Sequence, residues 1–281
     1  LKLTSLFGHE QKAGAFMRSI MHIDARDISF GEEEDGFRKG AIDIVAFTFG
    51  DNGQLVGKEA RTYNLSVRSE GFQKLLDDGF IYAINVPIEK PGGYQLRVAV
   101  RDGRAGRVGS ANQFIDVPDI GMNRLTLSGL VISGFDPSKA KKAAVPGTID
   151  LMGQQPPSGK EGAVQEIEPA ISPAVRMLRR GIYLDYGFLI YNAQLDPKTG
   201  KPQLESQLIL IKDGQQVFVG KVSPLIVGEE PDLKHIPAAG RLRLGDDLVP
   251  GEYVLQMMIT DKLAKQKYRS AMQWMDFEIT K

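Results

Sequence analysis

The sequence contains no cysteine, and this absence excludes several kinds of chemistry. Without thiols there is no disulfide framework, no thiol catalysis and no zinc site built on Cys ligands. The sequence also lacks an apolar run long enough to span a bilayer, so no membrane span is expected. A Gly-x-Ser-x-Gly motif, a Walker loop and a dinucleotide fingerprint are missing as well. We therefore expect no catalytic residue, no cofactor and no enzymatic activity.

An excess of charge of either sign is missing too. The 281 residues include 35 Lys and Arg and 35 Asp and Glu, which gives a formal net charge of zero. This balance argues against a protein held to a polyanion by bulk charge, and nucleic acid is not expected as a partner.

The residues that commonly bind metals are few or poorly spaced. His9, His22 and His235 are far apart in the sequence, and none of them forms a pair with metal-ligand spacing, so no metal site is expected. The acidic run Glu32–Asp35 could offer oxygen ligands to calcium, but it lacks the alternating spacing of a calcium loop. A solvated loop is the favoured interpretation of that run.

One motif is present twice. A Pro-Gly turn, a Tyr, an apolar strand and a closing Asp occur at Pro91–Asp102 and again at Pro250–Asp261. Each copy is followed by a Ser-Ala pair and a second apolar strand, at Ser110–Ile115 and Ser270–Met275. The two tyrosines are 159 positions apart and the two serines 160. Such a repeat predicts two like domains, each ending in the same hairpin.

The spacing of the repeat is typical of a tyrosine corner. In Greek-key sandwiches a Tyr opens a late strand, and its hydroxyl bonds back to the backbone a few residues upstream. Pro presets φ and Gly permits the turn. Trp274 has the place in its copy that Phe114 has in the first, so we expect both to pack in a core. The predicted structural residues are Pro91, Gly92, Tyr94, Phe114, Leu248, Pro250, Gly251, Tyr253 and Trp274.

Strand-like runs dominate the rest of the chain. Frequent turn signals separate them, for example Asp51-Asn52-Gly53 and Lys212-Asp213-Gly214-Gln215, and the only helix predicted is a short one near Glu70–Leu76. The predicted strands are Phe16–Ile23, Ala41–Phe49, Ala60–Val67, Phe80–Ile88, Tyr94–Arg101, Ser110–Val117, Tyr183–Asn192, Ser206–Lys212, Gln215–Val222, Arg241–Leu244, Tyr253–Thr260 and Arg269–Ile279.

This pattern predicts an all-β protein built as a tandem of immunoglobulin-like or fibronectin-III-like β-sandwiches. The first sandwich is expected at 1–120 and the second at 170–281. Residues 121–134 are either a connector or the first strand of the second domain. The Gly/Pro-rich segment 135–169 is either a linker or a long loop.

Several runs resemble the C-terminal region of bacterial VWFA-related proteins common in Acidobacteria. They include His22–Asp27, Ala46–Gln54, Val108–Phe114, Arg124–Gly129 and Leu184–Ala193. The resemblance implies an exported protein, hence an extracellular, periplasmic or cell-envelope location. The metal-dependent adhesion motif Asp-x-Ser-x-Ser of the type A domain is not matched, because Asp27–Gly31 lacks the second Ser. The chain therefore resembles the portion downstream of that domain, and no signal peptide is expected at Leu1.

Three functions remain open from the sequence. The first is a non-catalytic extracytoplasmic interaction or scaffold module that presents loops and edge strands to a protein partner. The second is a structural subunit that self-associates into a filament or sheath. The third is a carbohydrate-binding module, which needs exposed aromatic rings.

Overall fold

The computed structural model describes residues 1–12, 14–32, 36–138, 169–228 and 232–281. These residues divide into two compact units. Residues 1–7, 14–117 and 169 belong to the first unit, apart from the gap at 33–35. Residues 8–12, 118–138, 170–228 and 232–281 belong to the second.

The first unit is a sandwich of two sheets. Its elements, in chain order, are β1 (Lys2–Glu10), β2 (Gly14–Ile23), β3 (Gly31–Glu32), β4 (Phe37–Gly50), β5 (Leu55–Arg68), α1 (Ser69–Asp78), β6 (Phe80–Pro87), β7 (Gly92–Asp102) and β8 (Val108–Val117). Within the described residues, one sheet has the order β1-β2-β6. The other has the order β3-β4-β7-β8, with β5 paired to β4. The last residues of β1, from residue 8 onward, are grouped with the second unit.

Strict alternation along β4 shows why this sheet has one core face. Ile42, Ile44, Ala46 and Thr48 are buried, whereas the residues between them are only half-buried. A strand repeats its side-chain direction every two residues, so the buried set forms a single apolar face. Fully burying an Ile side chain stabilises the fold by roughly 1.5–3 kcal/mol.

The predicted short helix is α1. Phe72 packs edge-on against Phe30, with ring centroids 5.2 Å apart. The helix ends at Gly79, which has a φ of +66° and donates its N–H to the Leu75 carbonyl at 2.8 Å. A positive φ is accessible to Gly at little cost, so this residue stops the helix.

The second unit is also a sandwich of two sheets. Its strands are β9 (Thr126–Leu127), β10 (Val131–Phe135), β11 (Met177–Arg179), β12 (Tyr183–Tyr191), β13 (Leu204–Lys212), β14 (Gln215–Val219), β15 (Ser223–Pro224), β16 (His235–Arg243), β17 (Gly251–Asp261) and β18 (Ser270–Thr280). In the part of the chain that is described, one sheet has the order β10-β12-β16 with β9 on β12. The other has the order β11-β18-β17-β13-β14 with β15 on β13.

These four sheets confirm the predicted fold class, an all-β tandem of immunoglobulin-like sandwiches. Segment 121–134, for which the sequence left two alternatives, contributes β9 and β10, and both pair with β12. Residues 139–168 of the Gly/Pro-rich segment lie outside the described residues, as do residues 33–35 of the acidic run.

The repeated motif folds in the same way in both units. Gly92 and Gly251 have φ values of +143° and +136°, so each copy needs Gly at the same place. The Tyr94 hydroxyl donates to the Lys90 carbonyl at 2.6 Å, and the Tyr253 hydroxyl donates to the Val249 carbonyl at 2.7 Å. Both hydroxyls therefore bond four residues back, which is the geometry of a tyrosine corner.

The closing Asp of each copy is a buried hydrogen-bond acceptor. Asp102 accepts from the backbone N–H of Arg104 and from that of the distant Ser29. Asp261 accepts in the same way from Leu263 and Gln194. Each carboxylate thus fixes its own turn and ties a second segment of the same unit to the hairpin.

Candidate functional site

Strand β14 forms an exposed edge of the second unit. It stands last in its sheet, and its described pairing is to β13 on one side. All of its residues, Gln215–Val219, are exposed. An edge of this kind presents N–H and C=O groups to which an extended segment can pair.

Exposed apolar side chains cluster around this edge. The exposed fractions run from 45% to 93% for Val217, Phe218, Val219, Val222 and Ile226. A single exposed apolar residue is ordinary, but here five lie within ten positions, and Phe218 and Val219 place apolar side chains on both faces of the edge strand. Patches of this kind mark interaction surfaces.

Two features limit where the edge is open. The register shift between Leu210 and Ile211 leaves Val217 as the extra residue of a β-bulge. Pro224 in β15 has no N–H to offer. Bulges and prolines are common devices that prevent uncontrolled edge-to-edge pairing. The open part of the edge is therefore residues 218–223.

The backbone direction of this edge is fixed by one hydrogen bond. Gly220 donates its N–H inward to the Leu208 carbonyl at 2.8 Å. N–H groups of successive strand residues point to opposite sides. The N–H of Val219, the last residue of β14, therefore points away from β13, toward the free side of the sheet.

The expected core position of Trp274 and Phe114 is wrong. Trp274 is 59% exposed and Phe114 is 67% exposed. In β18 the buried residues are Met275, Phe277 and Ile279, so the alternation turns Trp274 outward. It is Phe277 that packs against Tyr253 in the core, with ring centroids 5.7 Å apart.

The expected equivalence of Trp274 and Phe114 is also wrong. Phe114 pairs with Gln95, one residue after its corner Tyr, whereas Trp274 pairs with Gln256, three residues after its own. The Ser-Ala strand is thus shifted by two residues between the copies. A shift of two keeps every side chain on its face, so both aromatic rings remain outside.

Trp274 lies on the same face of its sheet as Val219 in β14. It pairs with Gln256, Gln256 pairs with Ile209, and Ile209 pairs with Val219. Directly opposed residues share a face. This row joins Trp274 to the exposed edge, and we name residues 217–222 with Trp274 the β14 edge surface.

The remaining predicted structural residues surround the two corners. Tyr94 and Tyr253 are buried. Leu248 and Pro250 are half-buried just before the second corner, and Pro91 precedes Gly92 at an exposed position before the first. The structure thus brings these residues together as two separate turns, one in each unit.

A chain of two histidines and an aspartate lies in the second unit, and sequence spacing gave no sign of it. His9 Nδ1 is 3.0 Å from His235 Nε2, and His235 Nδ1 is 2.5 Å from an oxygen of Asp232. The two imidazole planes differ by 4°, with centroids 5.3 Å apart. That separation equals the N···N distance plus the two ring radii, so the rings are coplanar and joined edge to edge.

This geometry is a hydrogen bond and not a metal chelate. Asp232 accepts the proton of His235 Nδ1, so neutral His235 presents a lone pair at Nε2 and accepts from His9 Nδ1. A metal bound linearly between the two nitrogens would need about 4 Å between them. In the described part of the chain no group of three or more His, Asp or Glu is arranged to hold a metal ion.

Burial and charge set the protonation of this chain. Burial, with the charge of His235 second, lowers the pKa of His9 below its ordinary value of 6.5. Burial alone would raise the pKa of Asp232, but hydrogen bonds from the Lys234 backbone and from His235 outweigh it and lower the pKa. Tyr191 accepts the His9 backbone N–H at 3.0 Å, and burial raises the pKa of its hydroxyl. The hydrogen-bonded group of His9, His235 and Asp232 is therefore favoured when the His9 ring is neutral.

A scan against protein-family models gave no match to this chain, and a comparison with curated protein sequences gave none either. No helix in the described residues has both the length and the apolar character needed to cross a membrane.

Solved structures match the chain at low similarity. Red sea bream transglutaminase is 7% identical with a TM-score of 0.24, over 100% of this chain and 32% of that one. Parabacteroides merdae β-glucuronidase is 10% identical with a TM-score of 0.29, over 94% and 28%. The C-terminal domain of the Streptococcus agalactiae AgI/II polypeptide BspA is 8% identical with a TM-score of 0.21, over 99% and 100%. The chain spans about a third or less of the first two proteins, and TM-scores this low carry no functional argument.

Proposed function

We propose that this chain is a non-catalytic interaction module that binds a protein partner by strand addition at the β14 edge surface. An extended segment of the partner pairs with residues 218–223 and continues the sheet. Main-chain hydrogen bonds supply affinity, and the apolar side chains around the edge supply specificity.

The observation that carries this proposal is the outward N–H of Val219 within a cluster of exposed apolar residues. The Val219 side chain is 49% exposed, and the next residue is already paired to β13. The edge combines this free backbone group with apolar surface, and Lys221 is the one charged residue of its open part.

Location and family form part of the same proposal. The resemblance to the C-terminal region of VWFA-related proteins supports an extracytoplasmic scaffold that works without enzymatic activity. The absence of thiols from the sequence is compatible with export.

A backbone-specific variant tests the proposal. Extended ten-residue peptides are selected by display against the whole chain, and their affinities are measured for the wild type and for Val219→Pro. Proline removes the outward N–H but breaks no bond to β13, so we expect binding to be lost.

Val219→Thr is the matched control, because Thr keeps the N–H and the β-branched shape. We expect it to retain peptide binding. If no selected peptide distinguishes the wild type from Val219→Pro, strand addition at this edge is wrong. If the wild type self-associates in sedimentation velocity and Val219→Pro does not, the partner is a second copy, as in the structural-subunit alternative.

The exposure of Trp274 favours a second candidate, a carbohydrate-binding module. Its ring is available for stacking on a sugar. Trp274→Ala would then abolish binding to an immobilised glycan array.

A further inference from the structure

The outer face of the first unit's larger sheet carries a stripe of aromatic and apolar side chains. Val45, Phe47 and Phe49 alternate with the buried residues of β4 and are half-buried on the opposite side. Successive strand residues point to opposite faces, so these three side chains form one line along the centre of the sheet.

Exposed cations flank this stripe on both sides. Phe47 pairs with Lys58 on β5 and with Arg97 on β7. The ammonium of Lys58 lies 5.8 Å from the Phe47 ring centroid, and the guanidinium of Arg97 lies 5.0 Å from that of Phe49. Contacts of this length hold a cation against an aromatic ring. The rings, together with a hydrogen bond of 2.9 Å from Arg97 to the side-chain oxygen of Gln95, orient the two charges while leaving them in solvent.

The face carries more positive than negative charge. The cations on its strands are Lys39, Lys58, Arg68, Arg97 and Arg101, and the carboxylates on its strands are Asp43 and Asp116. Two further carboxylates adjoin the face, since Glu70 pairs with Arg68 at 4.0 Å and Asp51 lies beside Gly93 and Phe114. Asp43 is engaged by Arg101 at 2.6 Å and by the Thr62 hydroxyl. Within the described residues, Lys58 and Arg97 have no ion pair with a carboxylate. The zero net charge of the whole chain therefore conceals a local cationic surface.

Strand β8 adds polar groups and an open ring beside the cations. Ser110 and Asn112 are exposed, and Asn112 pairs with Arg97. The ring of Phe114 lies over Gly93, since a Cβ there would come within 2.9 Å of it. One side of the ring thus covers the Gly93 backbone, and the side chain remains 67% exposed.

We propose that this surface, which we name the β4 cationic face, binds an acidic polysaccharide. Carboxylate or sulfate groups of the polymer pair with Lys58 and Arg97. Both residues lie directly opposite Phe47, one on each neighbouring strand, so they are about 10 Å apart across the stripe. Sugar hydroxyls bond to Asn112 and Ser110, and a sugar ring stacks on Phe114.

Other polyanions fit this surface less well. Binding of single-stranded nucleic acid relies on successive free aromatic platforms for the bases. Here Lys58 and Arg97 lie over the rings of Phe47 and Phe49, which leaves Phe114 to stack. An acidic peptide on a sheet face would find no backbone partners for its own N–H and C=O groups, because these lie at the edges.

The test measures polysaccharide binding by isothermal titration calorimetry with the whole chain. The probes are heparin, polygalacturonate and neutral dextran, each at low and high salt. We expect heparin and polygalacturonate to bind and dextran not to bind, with affinity falling as salt rises. The double variant Lys58→Gln/Arg97→Gln should bind at least about tenfold more weakly, since each removed group makes a charge-assisted contact.

The matched control removes the same charge from the second unit. Lys198 and Lys201 are exposed in a turn, and Lys198→Gln/Lys201→Gln should bind like the wild type. Circular dichroism should show unchanged melting for both double variants. Equal losses in both double variants, equal binding of dextran, or no binding of either acidic polymer would overturn the proposal. Tighter binding of a single-stranded oligonucleotide, lost on the same Lys58/Arg97 change, would overturn the polysaccharide class.

Discussion

Asp261 accepts a hydrogen bond from the backbone N–H of Gln194 at 2.7 Å, although the two residues are 67 positions apart. Asp102 makes the corresponding contact with Ser29 in the first unit, at 3.1 Å. Both carboxylates are buried at the end of the strand that carries the corner Tyr. The repeated motif therefore encodes a hairpin together with its anchor to a distant segment.

Loss of this anchor should destabilise the second unit. Asp261→Ala leaves the N–H groups of Gln194 and Leu263 without their acceptor, and we expect a loss of about 2–5 kcal/mol in the free energy of unfolding. Trp274 is the only Trp and lies in this unit, so its fluorescence in urea reports the transition. Asp261→Asn keeps one acceptor and should lose less. Equal stability of Asp261→Ala and the wild type would show that the anchor does not stabilise the unit.

The corner tyrosines should contribute through their hydroxyls. Tyr253→Phe keeps the ring stacked on Phe277 and removes only the bond to the Val249 carbonyl. We expect a loss of about 1 kcal/mol, measured by urea denaturation. Tyr94→Phe should cost a similar amount in the first unit. A loss several times larger would mean that the ring had also moved.

Trp274→Ala should leave stability almost unchanged. The side chain is 59% exposed, and surface substitutions usually alter the free energy of unfolding by less than about 0.5 kcal/mol. Thermal melting followed by circular dichroism measures this without using Trp as a probe. Phe277→Ala is the contrast, because its buried ring should cost about 3–5 kcal/mol. Comparable losses of stability in Trp274→Ala and Phe277→Ala would show that the Trp274 ring packs in the core.

The free energy of unfolding should fall as the pH drops below about 6.5, because His9 of the histidine pair is harder to protonate in the folded state. Burial and the charge of His235 hold the pKa of His9 below its ordinary 6.5 in the folded state, so protons bind the unfolded chain more readily. The contribution is complete above 6.5 and is lost as the pH falls toward the folded pKa of His9. Glu10 and Tyr191 are the other titratable groups beside this ring, and Asp232 contacts its partner His235.

The pH dependence is measured by urea denaturation of the wild type and of His9→Gln between pH 5 and 8, a range around the ordinary pKa of His. The Gln side chain at position 9 cannot be protonated, so the slope of the free energy of unfolding against pH should be smaller near pH 6. The matched control is His22→Gln. The His22 ring lies in the first unit, where it bonds to the Asp78 carbonyl and not to another histidine. An unchanged slope in His9→Gln would remove His9 as the source of the pH dependence.

Local pattern predicted most strands, and the exceptions have physical causes. Predicted Tyr94–Arg101 corresponds to β7 and Tyr183–Asn192 to β12, because apolar runs between turn residues are strong signals. The sequence pattern did not predict β1, because Thr4 and Ser5 are buried polar residues that interrupt its apolar pattern. It began β16 at Arg241, but the strand starts at His235, since Pro237 and Gly240 read locally as turn residues.

The candidate surfaces were less predictable than the strands. The Tyr corners follow from short-range spacing, whereas the outward direction of Trp274 depends on a register set by pairing with β17. The contact between His9 and His235 joins residues 226 positions apart, and no local signal encodes it. The cations around β4 come from three strands whose order only the folded sheet determines.

Hydrogen–deuterium exchange at Val219 tests the central claim most directly. In the free chain the Val219 amide points away from β13 and should exchange quickly. With a selected extended peptide bound, we expect slower exchange at Val219, beside the Gly220 amide that is already protected by its bond to Leu208. Protection confined to other parts of the chain, with exchange at Val219 unchanged, would contradict strand addition at the β14 edge surface.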